Sequence, residues 1–135
     1  MFRISTRTHG VIDYAFGAAV AALPQMIECT PASRRLMRGA AAGAAAYSMS
    51  TNYERGVVKA LPMQTHLALD AASGAGFLAA AALVRDERPQ VRALLAGMGL
   101  FELLAAAMTS SEPYRDGRAP SPAEKVSHRL AEYVR

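Results

Sequence analysis

Four apolar blocks dominate this chain, and nearly all of its charged residues lie between them or in the last quarter. Three of the blocks run 18 residues. As helices they would each be roughly 27 Å long, which is close to the hydrocarbon thickness of a bilayer. Their alanine, leucine and glycine content favours helices over strands. The pattern predicts an all-α transmembrane chain with helices over Gly10–Ile27, Leu36–Met49, Leu67–Val84 and Val91–Met108.

The polar connections between the blocks are short, which limits how the helices can pack. Thr30–Ser33 separates the first two blocks and Arg85–Pro89 the last two, while residues 52–62 join the two pairs. We expect Ser33 to cap the second helix and Pro89 to open the fourth. Because short links place consecutive helices antiparallel, an up-down four-helix bundle is predicted.

Two segments, Thr8–Asp13 and Thr65–Asp70, share threonine, histidine and aspartate at a constant offset of 57 residues. Gly17 and Gly74 follow at the same spacing. A weaker match, at an offset of 58, pairs Gly39 with Gly97, Thr51 with Thr109 and Glu54 with Glu112. The offsets predict two tandem helical-pair repeats.

The predicted membrane domain covers residues 1–111, with repeats at about 6–56 and 62–111. Beyond it the chain turns polar and rich in proline. Residues 112–135 are predicted to form a linker followed by a short amphipathic helix at the C-terminus.

Histidine and aspartate four residues apart lie on one face of a helix, one turn from each other. Glu102 lies in a helix that runs the opposite way, and it falls about 9 Å from the helix end at the same level. Counting residues along each helix therefore predicts one polar layer near the end that carries both termini. Its members are His9, Asp13, Tyr47, His66, Asp70 and Glu102.

Three interpretations of this layer stay open at the level of sequence. The favoured one is a structural hydrogen-bond network in which each histidine is paired with its own aspartate. The second is a proton relay or a divalent metal site, for which the candidate ligands are His9, His66, Asp13 and Asp70. The third is an interface with another subunit.

Composition excludes several other classes of protein. The net charge of +4 comes from basic residues that flank apolar blocks rather than forming a stripe, so nucleic acid is not an expected partner. A single cysteine, Cys29, can form neither an internal disulfide nor a Cys/His zinc site. No catalytic motif or cofactor fingerprint occurs, so no cofactor is predicted and enzyme chemistry has no support beyond the polar layer.

The distribution of lysine and arginine predicts the orientation in the membrane. Nine of these residues lie on the side with both termini and the middle link, and six lie on the other. The excess favours cytoplasmic termini. Gly39 and Gly43 form a Gly-x-x-x-Gly motif in the second helix, where we expect close helix packing, within the bundle rather than across a dimer.

Three stretches carry a resemblance to a known family: Thr8–Tyr14, Thr51–Gly56 and Leu61–Asp70. They resemble the small bacterial membrane proteins known for an SPW repeat, over roughly residues 6–109. The chain has Leu23-Pro24 and a run of alanines where Ser-Pro-Trp would stand. The resemblance implies four helices with a duplicated pair and a location in the bacterial cytoplasmic membrane, and it supplies no catalytic residue.

These observations predict a small multi-pass membrane protein that acts as an accessory or scaffold subunit. Its expected partners are the lipid bilayer and other membrane subunits, or a second copy of itself. The alternative is a membrane-embedded protein or enzyme that handles protons or a metal through the duplicated His–Asp pairs.

Overall fold

The computed structural model of the chain describes residues 3–111. It contains four α-helices and, within that range, no β-strand. They are α1 (Thr6–Met26), α2 (Pro31–Ser50), α3 (Met63–Leu83) and α4 (Pro89–Met108). The prediction of an all-α chain with four helices is therefore confirmed, while the predicted C-terminal linker and helix lie outside the described residues. The most extensive packing is between α3 and α4 and between α1 and α2, and α2 also contacts α3.

Each helix begins before the apolar block it contains, and a side-chain cap precedes the first turn of α1 and of α2. The Ser5 side chain accepts from the backbone N–H of Thr8 at 3.2 Å and caps α1. Thr30 caps α2 by accepting from the N–H of Ser33 at 3.3 Å. The prediction that Ser33 is itself the cap is wrong, since Thr30 is the cap and Pro31 begins the helix three residues earlier than predicted. Pro89 opens α4 as predicted.

Two isolated parallel bridges join helix ends that are distant in sequence. Ile4 pairs with Thr109, which links the start of α1 to the end of α4. Leu61 pairs with Thr51 and links the start of α3 to the end of α2 in the same way. The two bridges therefore bring a threonine next to the first turn of α1 and another next to the first turn of α3.

The helices α3 and α4 approach each other closely at Gly74 and Gly99. A Cβ atom added to Gly74 would lie 2.8 Å from the carbonyl oxygen of Gly99, and one added to Gly99 would lie 2.5 Å from that of Gly74. By contrast, a Cβ at Gly39 or Gly43 would meet no atom within 4 Å. The packing within the bundle that we predicted at Gly39 and Gly43 is thus absent from the described part of the chain, because this face of α2 points away from the other helices.

The end of the molecule opposite the polar layer is held by a buried carboxylate. Glu87, between α3 and α4, accepts from the backbone N–H and hydroxyl of Thr30 at 2.9 and 2.8 Å and from the N–H of Arg88 at 2.9 Å. Burial opposes ionisation of Glu87, but hydrogen bonds from the Ser33 side chain, from Thr30 and from Arg88 outweigh it and lower its pKa to about 2. Glu87 therefore connects the α1–α2 turn to the α3–α4 turn.

Among residues 3–111, α3 and α4 are long and apolar enough to cross a membrane, and α1 and α2 do not meet the same criterion. The sequence of α2 opens with three arginines within its first eight residues, which lowers its hydropathy. Large apolar side chains on α3 and α4, such as Leu83, Leu100 and Leu104, are exposed on the outer surface.

Candidate metal centre

Two histidines and two aspartates converge between α1 and α3. His9 and Asp13 lie one turn apart on α1, and His66 and Asp70 lie one turn apart on α3. Because four residues make slightly more than one turn, each pair projects from one face of its helix. The two histidines are almost fully buried, with exposed fractions of 1% and 0%. We call these four residues the His–Asp cluster.

Each histidine Nε2 atom lies close to both carboxylates of the cluster. The distances from His9 Nε2 are 3.2 Å to Asp13 and 3.0 Å to Asp70. Those from His66 Nε2 are 3.0 Å to Asp13 and 3.3 Å to Asp70. The two Nε2 atoms are themselves 3.3 Å apart. One donor atom from each of the four side chains lies within 4.8 Å of the other three.

These separations would also suit donors that share one metal ion. Donor atoms bound to an ion by bonds of about 2.1 Å are separated by roughly 3.0 Å at the edge of an octahedron and roughly 3.4 Å at the edge of a tetrahedron. The measured separations of 3.0–3.3 Å from the histidine nitrogens fall between these limits. Little rearrangement is needed for the cluster to hold an ion.

A threonine behind each histidine fixes which ring nitrogen carries a proton. Thr109 Oγ1 lies 2.8 Å from His9 Nδ1, and Thr51 Oγ1 lies 2.8 Å from His66 Nδ1. Each threonine hydroxyl also donates at 2.6 Å to the carbonyl oxygen four residues earlier. Since a carbonyl oxygen can only accept, the threonine hydrogen is committed, and its oxygen accepts from Nδ1–H of the imidazole. Both Nε2 atoms then face the cluster.

Two tyrosines donate to the carboxylates of the cluster. The Tyr47 hydroxyl donates to Asp70 Oδ1 at 2.6 Å, and the Tyr53 hydroxyl lies 3.5 Å from Asp13 Oδ2. Tyr53 belongs to the link between α2 and α3, and burial raises the pKa of its hydroxyl, which stays a donor. One carboxylate oxygen on each aspartate is thereby oriented from outside the cluster, as metal-binding carboxylates commonly are.

Glu102 lies beside the cluster without joining it. Its side chain is 7% exposed, and Oε2 makes no hydrogen bond with any described residue. Together with His9, Asp13, Tyr47 and Asp70, it lines a small cavity between the four helices. An unpartnered carboxylate oxygen in a buried position is costly, so this atom needs a partner that the polypeptide does not supply.

The structure brings all six residues of the predicted polar layer to one place. Four form the His–Asp cluster, Tyr47 bonds to it, and Glu102 borders the adjoining cavity. Sequence reasoning missed Thr51, Thr109 and Tyr53. The offset of 58 residues that matches the two threonines was a usable signal, because it parallels the offset of the histidines that they support.

The arrangement could hold a metal ion and surround its ligands with supporting groups. Two imidazole nitrogens and two carboxylates supply the donors, while threonine and tyrosine hydroxyls orient them. Searches against family models, curated proteins and solved structures found no match to this chain.

Proposed function

We propose that this chain is a membrane protein that binds one divalent first-row transition metal ion through His9, Asp13, His66 and Asp70. The observation that carries the proposal is the convergence of two Nε2 atoms and two carboxylates at 3.0–3.3 Å. On the far side of each ring, Nδ1–H donates a hydrogen bond to a threonine. This outward bond is the means by which proteins commonly orient a metal-binding histidine.

The charge balance of the cluster supports a cation. With Nδ1 protonated, a neutral histidine presents a lone pair at Nε2, and two such lone pairs would face each other and two carboxylates. These donors repel one another unless positive charge is added, and balancing the two carboxylates takes two charges. A divalent ion adds both at once and leaves the four side chains neutral overall, whereas two extra protons would place two protonated Nε2 atoms 3.3 Å apart.

The donor types restrict the class of ion. Imidazole nitrogen combined with carboxylate oxygen suits zinc, iron, cobalt, nickel and manganese, and the cluster has no thiolate that would select a softer ion. Calcium and magnesium are disfavoured, since they prefer sites made of oxygen donors alone.

The membrane location rests on composition and on the outer surface. The apolar helices α3 and α4 and their exposed leucines support insertion into a bilayer. We propose that α1 and α2 also cross the membrane, giving four spans in two related halves with both termini in the cytoplasm. The resemblance to bacterial SPW-repeat proteins is consistent with this arrangement.

A second candidate function is the accessory role expected from the sequence. The Gly39–Gly43 face of α2 is open, and small residues at this spacing let another helix approach closely. A partner subunit on this face would be compatible with a metal in the cluster, so the two functions do not exclude each other.

Metal content tests the proposal directly. We expect the wild-type protein, purified in detergent and reloaded with Zn²⁺ or Co²⁺, to hold one ion per chain by elemental analysis. The double variant His9→Ala/His66→Ala is expected to lose it. The matched control is His128→Ala, which removes the third histidine of the chain and should leave the metal content unchanged.

A further variant separates loss of ligands from loss of fold. Asp13→Asn/Asp70→Asn keeps the size of both side chains but removes their charge, and it is expected to bind no metal while keeping the helical circular dichroism spectrum. Substoichiometric binding by the reloaded wild type, or full binding by the asparagine variant, would overturn the proposal.

A further inference from the structure

We infer that the metal in the His–Asp cluster keeps an open coordination position, filled by a water molecule that Glu102 holds by a hydrogen bond. This inference rests on the proposed metal centre and deepens it. It distinguishes a closed structural site, in which protein atoms fill every position, from a site that can exchange ligands with solvent.

The first support is the cavity beside the cluster. It has a volume of about 20 Å³, and all four helices contribute to its walls. A single ordered water needs about 10–15 Å³ on this measure, so the cavity has room for one. Three of the four cluster residues line it, His9, Asp13 and Asp70, whereas His66 is not among the lining residues. The cavity therefore adjoins the cluster on the side away from His66.

The second support is the unpartnered oxygen of Glu102. Oε2 is buried without a hydrogen bond, and it belongs to a residue that lines the same cavity. A water molecule there would donate one hydrogen to Oε2 while its oxygen binds the ion. The carboxylates of Asp13 and Asp70 and the Tyr47 hydroxyl offer further hydrogen-bond partners, so the two to four that a buried water requires are present.

The third support is the coordination geometry. The separations between cluster donors run from 3.0 to 3.3 Å, all shorter than the roughly 3.4 Å edge of a regular tetrahedron with bonds of about 2.1 Å. Four protein donors packed at such edges leave part of the coordination sphere uncovered. The opposite wall of the cavity is apolar, where Phe16 stacks on Phe101 with ring centroids 5.0 Å apart. A ligand in this position would therefore be small.

The test uses the full-length protein loaded with Co²⁺, whose visible bands and electron paramagnetic resonance report its ligands. In water enriched in ¹⁷O, the wild-type spectrum is expected to broaden, and the visible bands should have the low intensity of a site with more than four ligands. Ala44→Leu extends a side chain into the cavity, so it should abolish the broadening and raise the band intensity. The matched control is Ala46→Leu, an exposed position on the same helix, which should behave as wild type.

Variants of Glu102 test its role as a positioning residue. Glu102→Gln keeps an oxygen acceptor and should retain the ¹⁷O broadening, whereas Glu102→Leu should lose most of it with Co²⁺ still bound at one equivalent. Stoichiometric Co²⁺ with intense four-coordinate bands and no ¹⁷O effect would overturn this inference and leave the metal centre standing. Failure to load Co²⁺ at all would instead overturn the proposed function.

Discussion

Thr109 Oγ1 accepts a hydrogen bond from His9 Nδ1 at 2.8 Å, although the two residues are 100 positions apart in the chain. Thr51 does the same for His66 at a separation of 15 positions. Each histidine is thus supported by a threonine from the other pair of helices. The His–Asp cluster depends on contacts between the two pairs as well as on the local His–Asp spacing.

The threonines should tune metal affinity without binding the metal. We expect Thr51→Val and Thr109→Val each to weaken metal binding by about 10–100-fold, the usual effect of removing an outer partner of a ligating histidine. Competition titration against a chromophoric chelator measures this change. Thr→Ser at either position should restore most of the affinity, since serine keeps the hydroxyl. Thr65→Val, at an exposed site, provides the control, and an equal loss there would contradict the assignment.

The crossing of α3 and α4 should tolerate no side chain at its closest point. Gly74→Ala places a Cβ atom 2.8 Å from the Gly99 carbonyl oxygen, so the helices must separate. We expect the substitution to lower the free energy of unfolding by about 1–3 kcal/mol. Unfolding monitored by circular dichroism in detergent measures this loss. Gly97→Ala is the matched control, because a Cβ there meets nothing within 4 Å and alanine has the higher helix propensity. Equal stability of the two variants would show that the crossing is looser than described.

Glu87 should stabilise the fold at neutral pH and cease to do so in acid. Its pKa is lowered from the ordinary value of 4.5 to about 2, so the folded state favours the ionised form. The contribution is complete above about pH 4.5 and is lost as the pH falls through 2. We expect Glu87→Gln to lower stability by about 1 kcal/mol at pH 7.

Thermal unfolding of Glu87→Gln and wild type across pH 2–7 measures that difference, which should shrink towards the acid end. Asp86→Asn changes the neighbouring exposed carboxylate and should have little effect at any pH. A difference that persisted unchanged at the acid limit would contradict ionisation as its source.

The single cysteine provides a test of membrane orientation. Cys29 lies between α1 and α2, on the side opposite the proposed cytoplasmic termini. In intact cells, a maleimide that cannot cross the membrane should label it from outside. In a Cys29→Ser background, Val57→Cys places a thiol in the exposed link between α2 and α3, where labelling should require permeabilised cells. The reverse labelling pattern would place both termini outside, and labelling of both sites in intact cells would exclude four spans.

Much of the candidate site followed from simple geometry. The four-residue spacing puts His9 with Asp13 and His66 with Asp70, and counting the rise along each helix brought Tyr47 and Glu102 to the same level. These inferences required only helix geometry and the direction of each helix. They did not require knowing which helix faces contact each other. The structure places the six side chains together.

The remaining features depend on which surfaces meet, and sequence alone does not determine this. Gly39 and Gly43 satisfy the Gly-x-x-x-Gly spacing, yet the close crossing occurs at Gly74 and Gly99, because the motif indicates where a helix can approach and not whether one does. The support of His9 by Thr109 likewise depends on the bridge between Ile4 and Thr109 at the two ends of the described chain.

The reciprocal support of the histidines has a consequence for assembly. Neither helical pair contains a complete cluster, so two separate halves would have to meet before it could form, and the assembled fraction would depend on their concentration. The covalent link over residues 52–62 turns that encounter into an intramolecular one with a high effective concentration. A single chain can therefore assemble the His–Asp cluster whatever the concentration of the protein.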